Sequence, residues 1–261
     1  MGLSLPRQRG VRGGRSSYLL DNHPGAAAAY SLRYLRSGYV GQPVVRVRRS
    51  SDNTEQDFTP PEVTDGALAS FCGAEDGFVT TWYEQSPNAR DATQTIEADQ
   101  PQIVSNGSLI TDTGNGRVAL DIEGSSVALT NFTNLGDSSS EWTLSVVAAN
   151  NIGDRGDVFD SRAGLRLIPS LDGSGAYYLD SSWRGAALSL TSTDHKVGYQ
   201  FKANGSDVWV NGSNVQSGVS YETTQIELNP IGESTSRIQE LLLWEDTIDV
   251  GAVQNNQESY Y

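Results

Sequence analysis

The chain of 261 residues has little of the chemistry-bearing side chains: one cysteine (Cys72), two histidines (His23 and His195), one methionine and two lysines. A single thiol excludes an intrachain disulfide. So few Cys and His also exclude a zinc centre of the usual clustered kind. Neither histidine stands near the glycine pattern of a nucleophile elbow, which leaves a Ser-His-Asp hydrolase without support. Long apolar runs are missing too. Residues 1–20, MGLSLPRQRGVRGGRSSYLL, lack the stretch of about 7–15 apolar residues of a signal peptide. No run elsewhere approaches the roughly 18 that span a bilayer. The expectation is a protein made in the cytoplasm, without export signal or membrane association. The glycines of Gly10–Gly14 have no strand before them and no Lys-Ser/Thr after them, which excludes a phosphate loop. No cofactor and no metal are implied; Asp112, Asn115 and Asp121 are the candidates that a calcium loop would draw on.

Charge is unevenly spread. The net charge is −14, yet residues 1–50 carry nine Arg against Asp21 alone, a charge of +8 that leaves −22 for residues 51–261. The acidic body repels phosphate, so nucleic acid is not expected as a partner. Residues 1–20 form a basic arm, with Arg7, Arg9, Arg12 and Arg15 set among Gly, Ser and Pro. Residues 1–17 contain almost nothing that can be buried, and this stretch reads either as a frayed terminus or as an anchor that orders against an acidic partner.

What is abundant is turn and strand chemistry. There are 27 Gly, many Ser, Thr and Asn, and only 19% charged residues. Strand patterns recur at Val44–Arg48, Gly77–Tyr83, Gln102–Val104, Arg117–Ile122, Val127–Leu129, Trp142–Ala149, Gly156–Phe159, Leu165–Pro169, Ala176–Asp180, His195–Lys202, Asp207–Val210, Ser220–Leu228 and Gln239–Trp244. Asn115–Gly116, Asp172–Gly173, Asn204–Gly205 and Asn211–Gly212 separate several of them as hairpin turns. Helices are expected at Ala26–Leu35, Gly66–Cys72 and Val253–Tyr260. No repeat and no linker divides the chain, so residues 21–261 are expected to form one all-β domain, an antiparallel β-sandwich with a few short helices and an extended N-terminal arm.

The segment Phe201–Gly212, with Val208–Trp209–Val210–Asn211–Gly212 at its centre, resembles paired strands of laminin-G and concanavalin A-like (jelly-roll) domains. Ile238–Trp244, followed by an acidic turn and a helix, resembles their last strand. A second resemblance covers much of the N-terminal half. Ala29–Arg33, Val45–Asn53, Phe71–Cys72 and Thr80–Asn88 resemble the catalytic-domain family of α-L-arabinofuranosidase B, whose pattern continues with a Gln, here Gln94. Val253–Tyr261 is similar to that family's closing helix. The chain departs from the family pattern: the motif Asp is Glu84, and its glycines are Pro87 and Ala89. Similar domains occur in structural proteins of tailed bacteriophages, and this chain resembles that branch more closely.

Retaining glycosidases need two carboxyl groups about 5–5.5 Å apart. The resemblance places the nucleophile strand near FDSRAGLRLIPSL, residues 159–171, which carries no Glu, and the general acid near Gly232–Glu233–Ser234. A single carboxylate does not suffice, so no catalytic residue is expected and the chain is expected not to be an enzyme. The function expected from this is a non-catalytic virion protein of a tailed bacteriophage: head decoration, head fibre or tail fibre. Its partners would be other virion proteins through the Arg-rich arm, a host surface glycan on the acidic body, and, on a fibre or decoration, further copies of itself. The alternatives are a glycoside hydrolase or depolymerase of arabinofuranosidase type, and a free carbohydrate-binding module. Candidate glycan contacts are Trp82, Tyr83, Glu84 and Gln85. Arg46, Arg48 and Arg49 form a basic patch, either paired with acids such as Asp52, Glu84 or Asp91 or presented to an acidic neighbour or a sugar carboxylate.

Overall fold

The computed structural model describes residues 18–112, 114–122, 128–129, 141–150, 159–160, 166–167, 177–179, 182–185, 196–220 and 236–261. The strands used below are β1 (Ala28–Ser31), β2 (Val45–Arg49), β3 (Glu55–Phe58), β4 (Gly77–Trp82), β5 (Gln102–Ser105), β6 (Leu120–Asp121), β7 (Trp142–Asn150), β8 (Lys196–Lys202), β9 (Gly205–Val210), β10 (Ser213–Val219) and β11 (Ser236–Trp244). The helices are α1 (Leu19–Asn22), α2 (Pro60–Thr64), α3 (Ala67–Cys72) and α4 (Val250–Glu258). With three two-residue strands, these eleven make one 14-stranded antiparallel sheet in the order β10-β9-β8-β7-β11-β6-β5-β4-β2-β3, with β1 added alongside β11. A separate sheet of four short strands lies within residues 159–184.

The long sheet doubles over. Val45, Val47, Val79 and Trp82 from one half meet Leu144, Tyr199, Phe201, Leu241 and Leu243 from the other in a single buried cluster. That is the expected β-sandwich, with alternating residues of both halves facing inward. On β7 and β8 the directly opposed Trp142 and Phe201 stack at 3.9 Å between ring centroids. In β9, Val208 and Val210 join this core while Trp209 lies on the opposite side, near α4. The hairpin from β9 to β10 turns at Asn211 and Gly212, both left-handed, with φ of 46° and 82°. That conformation is what Asn-Gly supplies.

The apolar run in β11 has a physical reason. Leu241 and Leu243 point into the main core, whereas Leu242 and Trp244 join a second cluster with Leu19, Leu20, Ala29, Leu35 and Val253. A strand buried on both faces reads as continuous rather than alternating. The same second cluster absorbs Leu19 and Leu20, so the packed body already includes these residues of the segment read as arm.

The helix expected across Ala26–Leu35 is corrected: Ala28–Ser31 is a strand. Its Ala28, Ala29, Tyr30 and Ser31 are opposite Leu243, Leu242, Leu241 and Glu240 of β11. On the other edge, Ala29 O accepts from Gln85 N at 2.8 Å. Pairing on both edges outweighs the helix propensity of alanine, which amounts to less than about 1 kcal/mol per residue. The strand β10, SNVQSGV, was not expected, because a polar and largely exposed edge strand shows no alternation. The expected strand Ser220–Leu228 lies outside the described residues beyond Ser220.

Helix α4 is capped by Asp249, whose side chain accepts from Ala252 N at 2.9 Å. It seats on the outer face of β7 and β8. A methyl group on Gly198 would come within 2.7 Å of Val250 Cγ1 and 3.0 Å of Gln254 Nε2. Gly198→Ala is therefore expected to cost about 1–3 kcal/mol through overpacking. A urea midpoint equal to that of the parent chain would show that the helix is not seated this closely.

Candidate functional site

The segment Trp82–Gln85 leaves the end of β4 beside β1. Trp82 is fully buried, with its ring centroid 5.6 Å from that of Tyr30. Glu84 is also buried, and its carboxylate accepts from the backbone N–H groups of Ala29 (2.9 Å), Ser86 (2.6 Å) and Arg90 (3.4 Å). Glu84 N in turn donates to Asp91 Oδ1 at 3.0 Å. Gln85 accepts from Leu35 N and donates to the carbonyls of Ser31 and Arg33. Trp82, Glu84 and Gln85 therefore clamp β1 into the sheet. Tyr83 alone is part exposed, and its hydroxyl donates to Asp57 at 2.8 Å. Strand alternation predicts one buried aromatic in Trp82–Tyr83, but gives no sign that the following polar pair turns inward.

The basic residues are paired, though not with Glu84 or Asp91. Arg46 makes a two-pronged bond to Asp57 at 2.7 and 3.0 Å. Arg49 does the same with Asp52 at 3.0 and 2.6 Å and also reaches the Phe71 carbonyl. Arg48 is buried, held by Gln100 and Asn53, with its guanidinium over the Phe78 ring. The Arg46 bond lowers the Asp57 pKa, with a smaller contribution from Tyr83. The stability that this gives is full above the ordinary carboxylate range and is lost as pH falls from there through the lower folded value. This pair is largely exposed, so the amount is at most about 1 kcal/mol.

A cluster that composition did not reveal lies across β1, β11 and α4. Arg33 (5% exposed) and Glu240 (0% exposed) form a buried ion pair, Nε to Oε2 at 2.7 Å and Nη2 to Oε1 at 3.2 Å. The remaining acceptor capacity of Glu240 is met by Ser31 Oγ (2.8 Å), Gln257 Nε2 (3.1 Å) and Tyr261 OH (3.3 Å). Arg33 Nη1 donates to Asn256 at 2.9 Å, and its guanidinium lies over the rings of Tyr260 and Tyr261. Burial works against the Arg33 charge, but Glu240 outweighs it and raises the Arg33 pKa. Burial, followed by the Glu240 charge, pushes the Tyr261 hydroxyl well above its ordinary value. The available signal was an Arg inside the apolar Ala26–Leu35 stretch and a Glu immediately before Leu241, since charges in apolar runs need partners.

Two clefts open on the described surface, the first of them beside this cluster. One, of about 360 Å³, is lined by Tyr18, Arg33, Tyr34, Pro60, Pro61, Thr64 and Tyr260. The other, of about 310 Å³, includes Leu20, Asp21, Arg36, Ser86 and Pro87. Neither lining contains two carboxyl groups. Among the described residues no group of three or more His, Cys, Asp and Glu is placed to hold a metal ion. Asp112 instead accepts from the N–H groups of Gly114 and Asn115, Asn115 pairs with Gln239, and Asp121 faces Arg237. Cys72 is buried among core residues, and desolvation pushes its thiol up to about 11. In the native protein at pH 8 it is expected to resist a disulfide reagent that labels it fully in denaturant; rapid native labelling would contradict this burial.

Arg7, Arg9, Arg12 and Arg15, Glu233, His195 and most of residues 159–171 lie outside the described residues.

No family model matches the chain, and no curated protein matches it. Solved structures do share its fold. A GH54 α-L-arabinofuranosidase soaked with a cyclic sulfate inhibitor superposes with a TM-score of 0.63 at 16% identity, covering 91% of this chain and 63% of that one. A mutant GH54 α-L-arabinofuranosidase soaked with 4-nitrophenyl α-L-arabinofuranoside gives 0.66 at 17% identity, with the same coverages. An arabinofuranosidase complexed with arabinofuranosyl-α-1,2-xylobiose gives 0.54 at 17%, over 88% of this chain and 62% of that one. The chain thus spans less than two thirds of these proteins' length. The match supports the arabinofuranosidase resemblance at the level of fold; no bacteriophage protein is among these three structures. It also corrects the expectation that the chain is not an enzyme. The three structures that share the fold are arabinofuranosidases.

Proposed function

We propose that this protein is a glycoside hydrolase of the arabinofuranosidase type, acting on an arabinose-containing glycan. The observation that carries the proposal is the shared fold over about nine tenths of the chain with three arabinofuranosidase structures. Hydrolysis with retention needs a nucleophilic carboxylate and a second carboxyl that first donates and then removes a proton, about 5–5.5 Å apart. Glu240 and Glu84 are unsuited to either part. Glu240 is neutralised by Arg33 with its oxygens engaged, and the Glu84 oxygens are taken by backbone donors. The catalytic pair in this proposal comes from the acids of residues 123–235, with Glu233 as the general acid that the family resemblance implies.

The test is release of 4-nitrophenol from 4-nitrophenyl α-L-arabinofuranoside. Release is expected from the parent chain, with a loss of about 10²-fold or more in Glu233→Gln, the scale of general-acid catalysis. No release above the uncatalysed rate at high protein concentration, from this substrate and from arabinose-substituted polysaccharide, would end the proposal. The sharp charge asymmetry favours a second element: the Arg7, Arg9, Arg12 and Arg15 segment anchors the acidic body to an acidic surface, such as that of a virion. Deleting residues 1–17 is expected to abolish particle attachment at low salt; unchanged attachment would remove this element.

A further inference from the structure

We propose that the cleft between Tyr18, Tyr34 and Tyr260 is a second carbohydrate-binding site, one that takes a neutral sugar of one or two rings. The inference rests on the proposed action on arabinose-containing glycans for the identity of the sugar. The cleft itself is built entirely from residues outside 123–235, so it does not depend on where hydrolysis occurs.

Its lining combines aromatic rings, prolines and a few polar groups: Tyr18, Tyr34, Tyr260, Pro60, Pro61 and Thr64 around Arg33. At about 360 Å³ it sits at the small end of the range of about 300–1,000 Å³ for ligand sites. Tyrosine supplies a flat apolar face for sugar C–H groups and a hydroxyl for their oxygens, at low entropic cost.

The cleft is also fixed before any ligand arrives. Tyr260 has the guanidinium groups of Arg33 and Arg117 over its ring, 5.0 and 4.7 Å from the centroid. The Tyr34 hydroxyl accepts from Gly41 N at 2.9 Å. Pro60 and Pro61 begin α2, whose first turn is held by bonds from the Thr59 N–H and hydroxyl to Glu62. Walls that are already ordered reduce the entropy lost on binding.

Charge selects the ligand class. Arg33, the cation in the wall, is neutralised by Glu240 and further engaged by Asn256. It contributes a polarised edge without a net call for an anion, which separates this cleft from a site for uronic acids or phosphate.

The test uses the full chain titrated with methyl α-L-arabinofuranoside and with arabinobiose, observed through tyrosine ring signals by NMR. Saturable shifts of the Tyr18, Tyr34 and Tyr260 signals are expected. Tyr34→Ala is expected to weaken binding about ten-fold or more, as for an aromatic anchor, while Tyr34→Phe keeps most of it. Thr64→Trp fills the cleft from an exposed position and should weaken binding equally without touching the core. The proposal is overturned if no saturable shift occurs, if both folded cleft variants bind like the parent, or if galacturonate binds and the neutral sugars do not. Hydrolysis of the aryl glycoside is scored separately. Release without cleft binding sinks this site alone, and cleft binding without release sinks the hydrolase alone.

Discussion

Replacing Arg33 by methionine is expected to lower folding stability by about 3–5 kcal/mol, the cost of leaving a buried charge without its partner. Glu240 is fully buried, and without Arg33 only the Ser31 hydroxyl, the Gln257 amide and the Tyr261 hydroxyl would face its carboxylate. Three neutral donors do not offset the desolvation of an anion. The double variant Arg33→Met with Glu240→Leu should recover most of the loss, because an apolar pair of similar volume removes both charges together. Urea unfolding of the two single variants and the double variant measures this directly. A single-variant loss below about 1 kcal/mol would place the pair with ordinary surface bridges and remove it as the lock between β1 and β11.

Trp82→Ala is expected to cost a similar amount, about 3–5 kcal/mol, for a different reason: it deletes a large ring from the closed interface between the two halves of the sheet. Trp82 is fully buried against Tyr30 and sits opposite Val45 of β2. The outcome discriminates between two roles for this residue. A glycan contact would give a stable protein that binds sugar poorly. A core residue gives a protein with a much lower unfolding midpoint and, at temperatures where it stays folded, undiminished sugar binding. Tyr83, one position along and part exposed, should show little change in stability when replaced by Phe.

The sandwich was legible because its signals are local: Val45 and Val47 alternate with arginines, Asn211–Gly212 marks a hairpin, and Ile238–Trp244 is too apolar for a surface. The β1 strand was misread because Ala26–Ala29 is a good helix former in isolation. Its strand state comes from Leu241–Leu243, residues far away along the chain. The Arg33–Glu240 pair was hidden for the same reason, and so were the inward turns of Glu84 and Gln85. Each is decided by a partner that no local window contains. The Arg49–Asp52 pair of the basic patch was legible because its partners are three residues apart, whereas Asp57 comes to Arg46 only through the register of β2 with β3.

The position of β1 has a consequence for how the chain is made. Ser31 and Glu240 are 209 residues apart, and β1 is completed only when β11 lies beside it. At a synthesis rate of about 5–20 residues per second, the alanine-rich segment waits roughly 10–40 s on the ribosome with its apolar surface unclaimed. Its preference for helix while alone would keep its backbone hydrogen bonds internal during that interval, and so shield it from pairing with the wrong strand until its proper neighbour emerges.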